Sequence, residues 1–390
     1  MVSFSNTKIA FTGKSNSDLS RSYLLFKLLS KPAWVKLGSN LTLWALKFHL
    51  PIKWMVKKTI FKQFCGGENI DDCTETINKL GDFGIGAILD FSVEGKESET
   101  DFDNTMQETI NTITKATQSN HIPFCVFKVT GVASFDLLEK VTANKSLSDV
   151  ETVAKLRVIE RIDKICSFAA TAGIPIFIDA EESWIQQAID DLADMMMKKF
   201  NQQKTIVYNT FQLYRKDRLA FLESSIEKGK KGSYKVGAKL VRGAYMEKER
   251  LRAQEMGYPS PIQDTKQDTD KDYNLALKVC LRNIDNIAIC AGTHNEESSL
   301  YLSQLMTEHK INNDDKRIFF SQLFGMSDNL SFNLANEGYK VAKYLPYGPV
   351  KETLPYLIRR AQENTSVEGQ TGRELGLIIK EKERRKNEGK

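Results

Sequence analysis

Residues 344–364 read YLPYGPVKETLPYLIRRAQEN. An apolar run ends at Pro346, and Gly348-Pro349 marks a turn. A helical pattern follows, in which Tyr356, Arg359 and Arg360 stand at i, i+3 and i+4 on one face. The stretch is a unit of strand, turn and helix. Two adjacent guanidiniums near the start of a helix repel each other and oppose the helix dipole, so their placement makes most sense with an anion between them. The planar fork of an arginine meets a carboxylate with two parallel hydrogen bonds. A solvated basic turn that touches nothing is the plain alternative.

The same alternation repeats upstream. Short apolar runs at 86–91, 123–129, 174–178, 205–213, 236–241, 287–292, 317–324 and 339–345 predict eight strands. Amphipathic stretches between them predict helices at 149–172, with Val153, Leu156, Ile159, Ile162 and Ile165 in period, at 182–200 and at 274–283. Eight βα units predict an α/β fold, a (βα)8 TIM-type barrel whose active site lies at the C-terminal ends of the strands. Each run delivers a polar group or a tyrosine to that end: Asp90, Lys128, Asp179, Gln212, Arg242, His294 with Asn295, Gln322 and Tyr344. A doubly wound open sheet would gather such groups mainly at one crevice.

Ahead of the barrel, residues 18–64 form a lysine-rich aromatic region that predicts an N-terminal helical arm. Its mixture of Trp, Phe, Leu and Lys suits both an anionic bilayer surface and packing against the barrel. Residues 246–273 are polar and interrupted by Tyr258-Pro259-Ser260-Pro261, which predicts a long functional or disordered loop at the catalytic face. The run IIKEKERRKNEGK at 378–390 has charge without apolar period and reads as a solvated tail. The expected division is therefore an arm at 1–75, a barrel at 76–366 and a charged tail at 367–390.

With 390 residues, 41% of them hydrophobic, the chain can bury a large core. A net charge of +5 is modest for this length, so electrostatics alone does not call for nucleic acid. Six scattered cysteines without a CxxC pair argue against zinc and against a disulfide framework, and for a reducing compartment. No secretory signal or membrane-length apolar run is evident. GxGxxG after a strand, GxxxxGK[ST] and GxSxG are all missing, so a Rossmann cofactor site, a P-loop and a serine hydrolase have no support. Carboxylates at the barrel mouth come with competing lysines and arginines, and no metal site is assigned.

Three more stretches carry chemistry. KLVRGAY (239–245) sets Lys239 and Arg242 beside Gly243, which leaves room for a flat ligand near the backbone. IFIDAEES (176–183) puts Asp179 at a strand end and Glu181 and Glu182 at the opening of a helix, where acids suit its dipole. CAGTHNEES (290–298) offers Thr293, His294 and Asn295 to a cofactor's sugar or phosphates.

Taken together, KLVRGAYMEKER, GYPSPIQDTKQDTDKDYN, GTHN, QLFGM and YLPYGPVKETLPYLIRRAQEN stand in an order that closely resembles proline dehydrogenase, the flavoenzyme of proline catabolism. FSNTKIAFTGKS, AILDFSVEG and IFIDAEES fit the same pattern. The chain resembles the single-function form shared by some bacteria and mitochondria. The resemblance implies a distorted (βα)8 barrel with noncovalent FAD and oxidation of L-proline to Δ1-pyrroline-5-carboxylate, by hydride transfer to FAD. Electrons would then pass to a membrane quinone.

The resemblance also implies roles. Arg359, Arg360 and Lys128 would hold the proline carboxylate, Tyr344, Tyr356 and Leu323 would pack on its ring, and Asp179 would be an active-site carboxylate. Glu94 would pair with the first arginine and gate the pocket. Lys239 would approach the flavin N5 edge, and since relatives can carry Lys239 and Arg242 with their identities exchanged, either of the two could dominate there. Gln212, Gly243, Thr293, His294, Asn295 and Glu363 would contact FAD, and Lys266 would face its pyrophosphate. Lipid would be a peripheral partner, at the bacterial cytoplasmic membrane or, alternatively, the matrix face of the mitochondrial inner membrane. The alternatives are a dehydrogenase for hydroxyproline or another cyclic amine and, from a different class, a noncatalytic membrane-surface adaptor.

Overall fold

The computed structural model describes residues 2–31, 33, 53–93, 97–366 and 370–389. Eight parallel strands form a closed barrel in sequence order: β1 (Ile85–Phe91), β2 (Phe124–Lys128), β3 (Ile176–Asp179), β4 (Val207–Gln212), β5 (Val236–Val241), β6 (Ile287–Gly292), β7 (Ile318–Leu323) and β8 (Val341–Tyr347). Helices alternate with them, as the (βα)8 reading requires. Every residue of β3, β4 and β8 is buried, so these strands show no alternation of buried and exposed positions, and their polar members Asn209, Thr210, Gln212 and Lys343 are buried too.

The chain forms two compact units, Met1–Glu94 with Gln322–Lys390, and Gly95–Ser321. Within the second, aromatic rings fill the space between strands: Phe124 stacks on Phe177 at 4.4 Å, and Phe319 meets Phe124 edge-on at 4.7 Å. Each buried ring contributes on the order of 2 kcal/mol. β2 and β3 pair so that Lys128 lies opposite Asp179.

Within the first unit, β1 and β8 pair from Ile85↔Val341 to Phe91↔Tyr347. A helix at Asn16–Leu29 starts with a capping box between Ser15 and Asp18 and buries Leu19, Phe26 and Leu29. Phe26 meets Phe64 edge-on at 6.4 Å, and Gln63 bridges Ser22 to the Gly325 carbonyl. These residues share one core with Leu354, Tyr356, Leu357 and Ile378. Leu24, Leu28 and Trp54 remain exposed. Much of the basic aromatic arm, residues 34–52, lies outside the described residues. No helix among the described residues is long and apolar enough to cross a membrane.

Two expectations need correction. The polar segment at 246–273 is not one long loop, because it holds helix Met246–Met256 and the first turns of helix Lys266–Arg282, so the helix expected at 274–283 begins at Lys266 instead. The first buries only Glu249 and Ala253, so it has no apolar stripe to betray it. The charged run at the C-terminus is not a solvated tail either: Gln370–Asn387 is helical. Buried Glu381 pairs with Arg384 and Arg385, and Arg385 also donates to the carbonyls of Phe11 and Lys14. Ile378, Leu375 and Leu377 anchor this helix in the apolar core, and ion pairs at helical spacing support its charged end.

Candidate active site

In the unit Gly95–Ser321, β3 ends at Asp179, which accepts a hydrogen bond from the Lys239 ammonium. Both side chains are buried, and the Lys239 Nζ lies 5.5 Å from the Phe177 ring centroid. A buried cation needs such a partner, since desolvating it alone would cost several kcal/mol. Lys128 ends β2 half-buried beside this pair of strands.

Two residues past Asp179 stands a group whose role sequence reasoning missed. Glu181 is not in the helix whose dipole it was expected to complement, because that helix begins at Ser183. It is buried, and its carboxylate accepts from the Thr130 N–H at 3.0 Å and the Thr130 hydroxyl at 2.5 Å. Burial pushes its pKa up to about 7, against the opposing influence of Lys128 and Thr130. Its N–H donates to Gln186 Oε1 at 2.8 Å, and Gln186 in turn donates to Asp190 at 2.9 Å. Asp190 also accepts from Asn209 at 2.9 Å and from Arg218 at 2.6 Å. Gln212, ending β4, donates to the Glu181 carbonyl at 2.7 Å. The signal available in sequence was a second acid two positions beyond a strand-end acid.

β5 leads into Arg242, whose guanidinium donates to Asp270 at 2.7 Å, Thr293 at 2.6 Å and Ser298 at 2.9 Å, over the Tyr273 ring. Lys266 also reaches Asp270, at 2.5 Å. Burial works against the Asp270 carboxylate, but Lys266 and Arg242 outweigh it and hold its pKa below the ordinary value. Thr293, His294 and Asn295 follow β6, and Asn295 caps the helix Glu296–Glu308 by accepting from the Ser298 N–H at 2.8 Å. Gly243 has φ +138°, and a Cβ there would lie 2.4 Å from the Tyr214 ring. Lys128, Asp179, Gln212, Arg242, Gly243, Thr293, His294 and Asn295 thus stand at or just beyond the ends of β2 to β6, and Lys239 lies inside β5, two residues before its end.

In the other unit, Tyr344 is buried on β8, opposite Ile88 of β1, and Leu323 ends β7. Leu323 and Tyr356 belong to the same apolar cluster. The Arg360 guanidinium lies 5.3 Å from the Tyr356 ring, so the i and i+4 members of the expected face do meet. The arginine pair is not near a helix start, however. The helix begins at Val350 and runs through Pro355, which puts both arginines in its third turn and removes the dipole argument. Half-buried Arg359 and Arg360 still sit side by side. Glu94 and the side chain of Glu363 lie outside what the structure describes.

A family model described as proline dehydrogenase matches residues 73–373. The chain belongs to the proline dehydrogenase family. Proline dehydrogenase 1, mitochondrial, of Dictyostelium discoideum is 35% identical over 379 residues, covering 86% of this chain and 66% of that protein. The chain thus spans just under two thirds of that relative's length. Hydroxyproline dehydrogenase of Xenopus laevis is 28% identical over 421 residues, covering 98% of this chain and 90% of its own. The barrel fold also matches the crystal structure of proline utilization A from Bdellovibrio bacteriovorus, with a TM-score of 0.73 at 20% identity, over 94% of this chain and 37% of that one.

Proposed function

We propose that the chain oxidises L-proline to Δ1-pyrroline-5-carboxylate with FAD as its electron acceptor, in the breakdown of proline toward glutamate. The observation that carries this reading is the proline dehydrogenase match over residues 73–373. In this reading Arg359, Arg360 and Lys128 hold the substrate carboxylate, and Tyr344, Tyr356 and Leu323 pack on the ring. Asp179 holds Lys239 in place, and Glu94 pairs with Arg359. Fixing the carboxylate at three points is the protein's main contribution, because it turns an encounter into an oriented complex.

The donors beyond β4, β5 and β6 fit a dinucleotide. Gln212, Arg242, Thr293, His294 and Asn295 supply amide, guanidinium, hydroxyl and imidazole groups, and helix Glu296–Glu308 opens beside them. Gly243, Lys266 and Glu363 complete the proposed FAD contacts. Bound there, FAD would supply the electron chemistry that hydride removal from proline requires. Lys239 contributes positive charge beside that acceptor.

A membrane quinone is the proposed final acceptor, with the protein peripheral at a bacterial cytoplasmic membrane or at the matrix face of the mitochondrial inner membrane. The arm at 1–75 is its proposed lipid contact, the barrel at 76–366 its catalytic part, and 367–390 its charged C-terminal segment. The relation to a hydroxyproline dehydrogenase supports one second reading, oxidation of hydroxyproline. Turnover of L-proline and trans-4-hydroxyproline with a soluble quinone analogue separates the two. Faster turnover of hydroxyproline would overturn the primary reading.

A further inference from the structure

Glu181 plays no part in the reaction as proposed, yet its carboxylate spends both oxygens on a single residue. Oε1 accepts the Thr130 N–H and Oε2 accepts the Thr130 hydroxyl, at 3.0 and 2.5 Å. Thr130 lies two residues beyond Lys128, in the short turn Val129–Gly131 that follows β2. Glu181 is itself held from the other side, through its N–H to Gln186 and its carbonyl from Gln212. One buried side chain therefore ties the end of β2 to the turn between β3 and its helix. Lys128 is the cation that favours its ionised form, while neighbouring Glu182 opposes it and is paired with Lys248.

We propose that Glu181 is a positioning residue for the substrate carboxylate: by clamping Thr130 it aims the Lys128 ammonium, and so favours cyclic amines that carry a carboxylate over those that lack one. The proposal rests on the reading of Lys128 as a carboxylate ligand. It makes no demand on the ring contacts or on the flavin.

The test compares L-proline with pyrrolidine, which has the ring and no carboxylate, as reductants of the flavin-loaded protein. Glu181→Ala raises KM for L-proline about tenfold or more, the worth of a hydrogen bond to a charged group, and leaves the pyrrolidine rate unchanged. Glu181→Gln, whose amide can keep both bonds to Thr130, restores KM to within about threefold of the parent. Thr130→Val removes the hydroxyl from the other side and moves KM in the same direction. It carries the test if the alanine variant does not fold. An unchanged KM overturns the proposal, and so does an equal loss for proline and pyrrolidine, which would mark a general structural role. If L-proline fails to bleach the parent protein, the functional reading falls and this proposal with it. A parent that bleaches normally beside unaffected variants overturns the positioning role alone.

Discussion

The ammonium of Lys239 on β5 donates to the carboxylate of Asp179 at the end of β3, and both side chains are buried. Neither group could stay charged there at low cost without the other. Asp179→Asn should therefore destabilise the fold by about 3 kcal/mol, because it removes the counter-charge that Asp179 supplies to a buried cation. Denaturant midpoints of the two proteins measure it. A shift within experimental error would mean that water reaches Lys239.

Glu181 gives a pH dependence whose sign can be worked out. Its folded pKa of about 7 stands above the ordinary 4.5, so the native state holds a proton that the unfolded chain has released. The stability it contributes is fully present below pH 4.5 and is lost as pH rises toward 7. Glu181→Gln does not titrate and should gain on the parent across that window, by about 3 kcal/mol at pH 8 relative to pH 4. Urea unfolding of both proteins at the two pH values checks this. A constant difference between them would contradict it.

Gly243 combines φ +138° with a Cβ position 2.4 Å from the Tyr214 ring. Gly243→Ala should cost on the order of 2 kcal/mol from the backbone alone, before any displacement of the tyrosine. Thermal unfolding reads this directly, and an unchanged Tm would show that the turn can relax.

Arg359→Met should raise KM for L-proline about a hundredfold, since a charged hydrogen bond is lost and the substrate carboxylate is left underpaired. Steady-state kinetics with L-proline settle it. An unchanged KM would remove Arg359 from the carboxylate site.

The parts of the fold legible in sequence are those with local signatures. The helix Asp149–Ala172 has the expected bounds because Ser148 and Glu151 form a capping box and Gly173 ends it in the left-handed conformation. β5 and β6 also match residue for residue, each an apolar run closed by a turn. The helix Met246–Met256 was illegible because its buried acid, Glu249, is held by the N–H and hydroxyl of Ser183, far away in sequence. The same holds for Glu181. Residue type and spacing marked Asp179, Lys239 and Arg242, but only the folded chain brings Thr130, Gln186 and Gln212 around their neighbour.

The central claim is that this chain passes electrons from proline to a bound flavin. An anaerobic visible spectrum of the purified protein, recorded before and after addition of L-proline, tests it most directly. The account predicts a flavin band that bleaches on addition of L-proline. A flavin band that L-proline leaves intact, or a protein that binds no flavin when FAD is supplied, would contradict it.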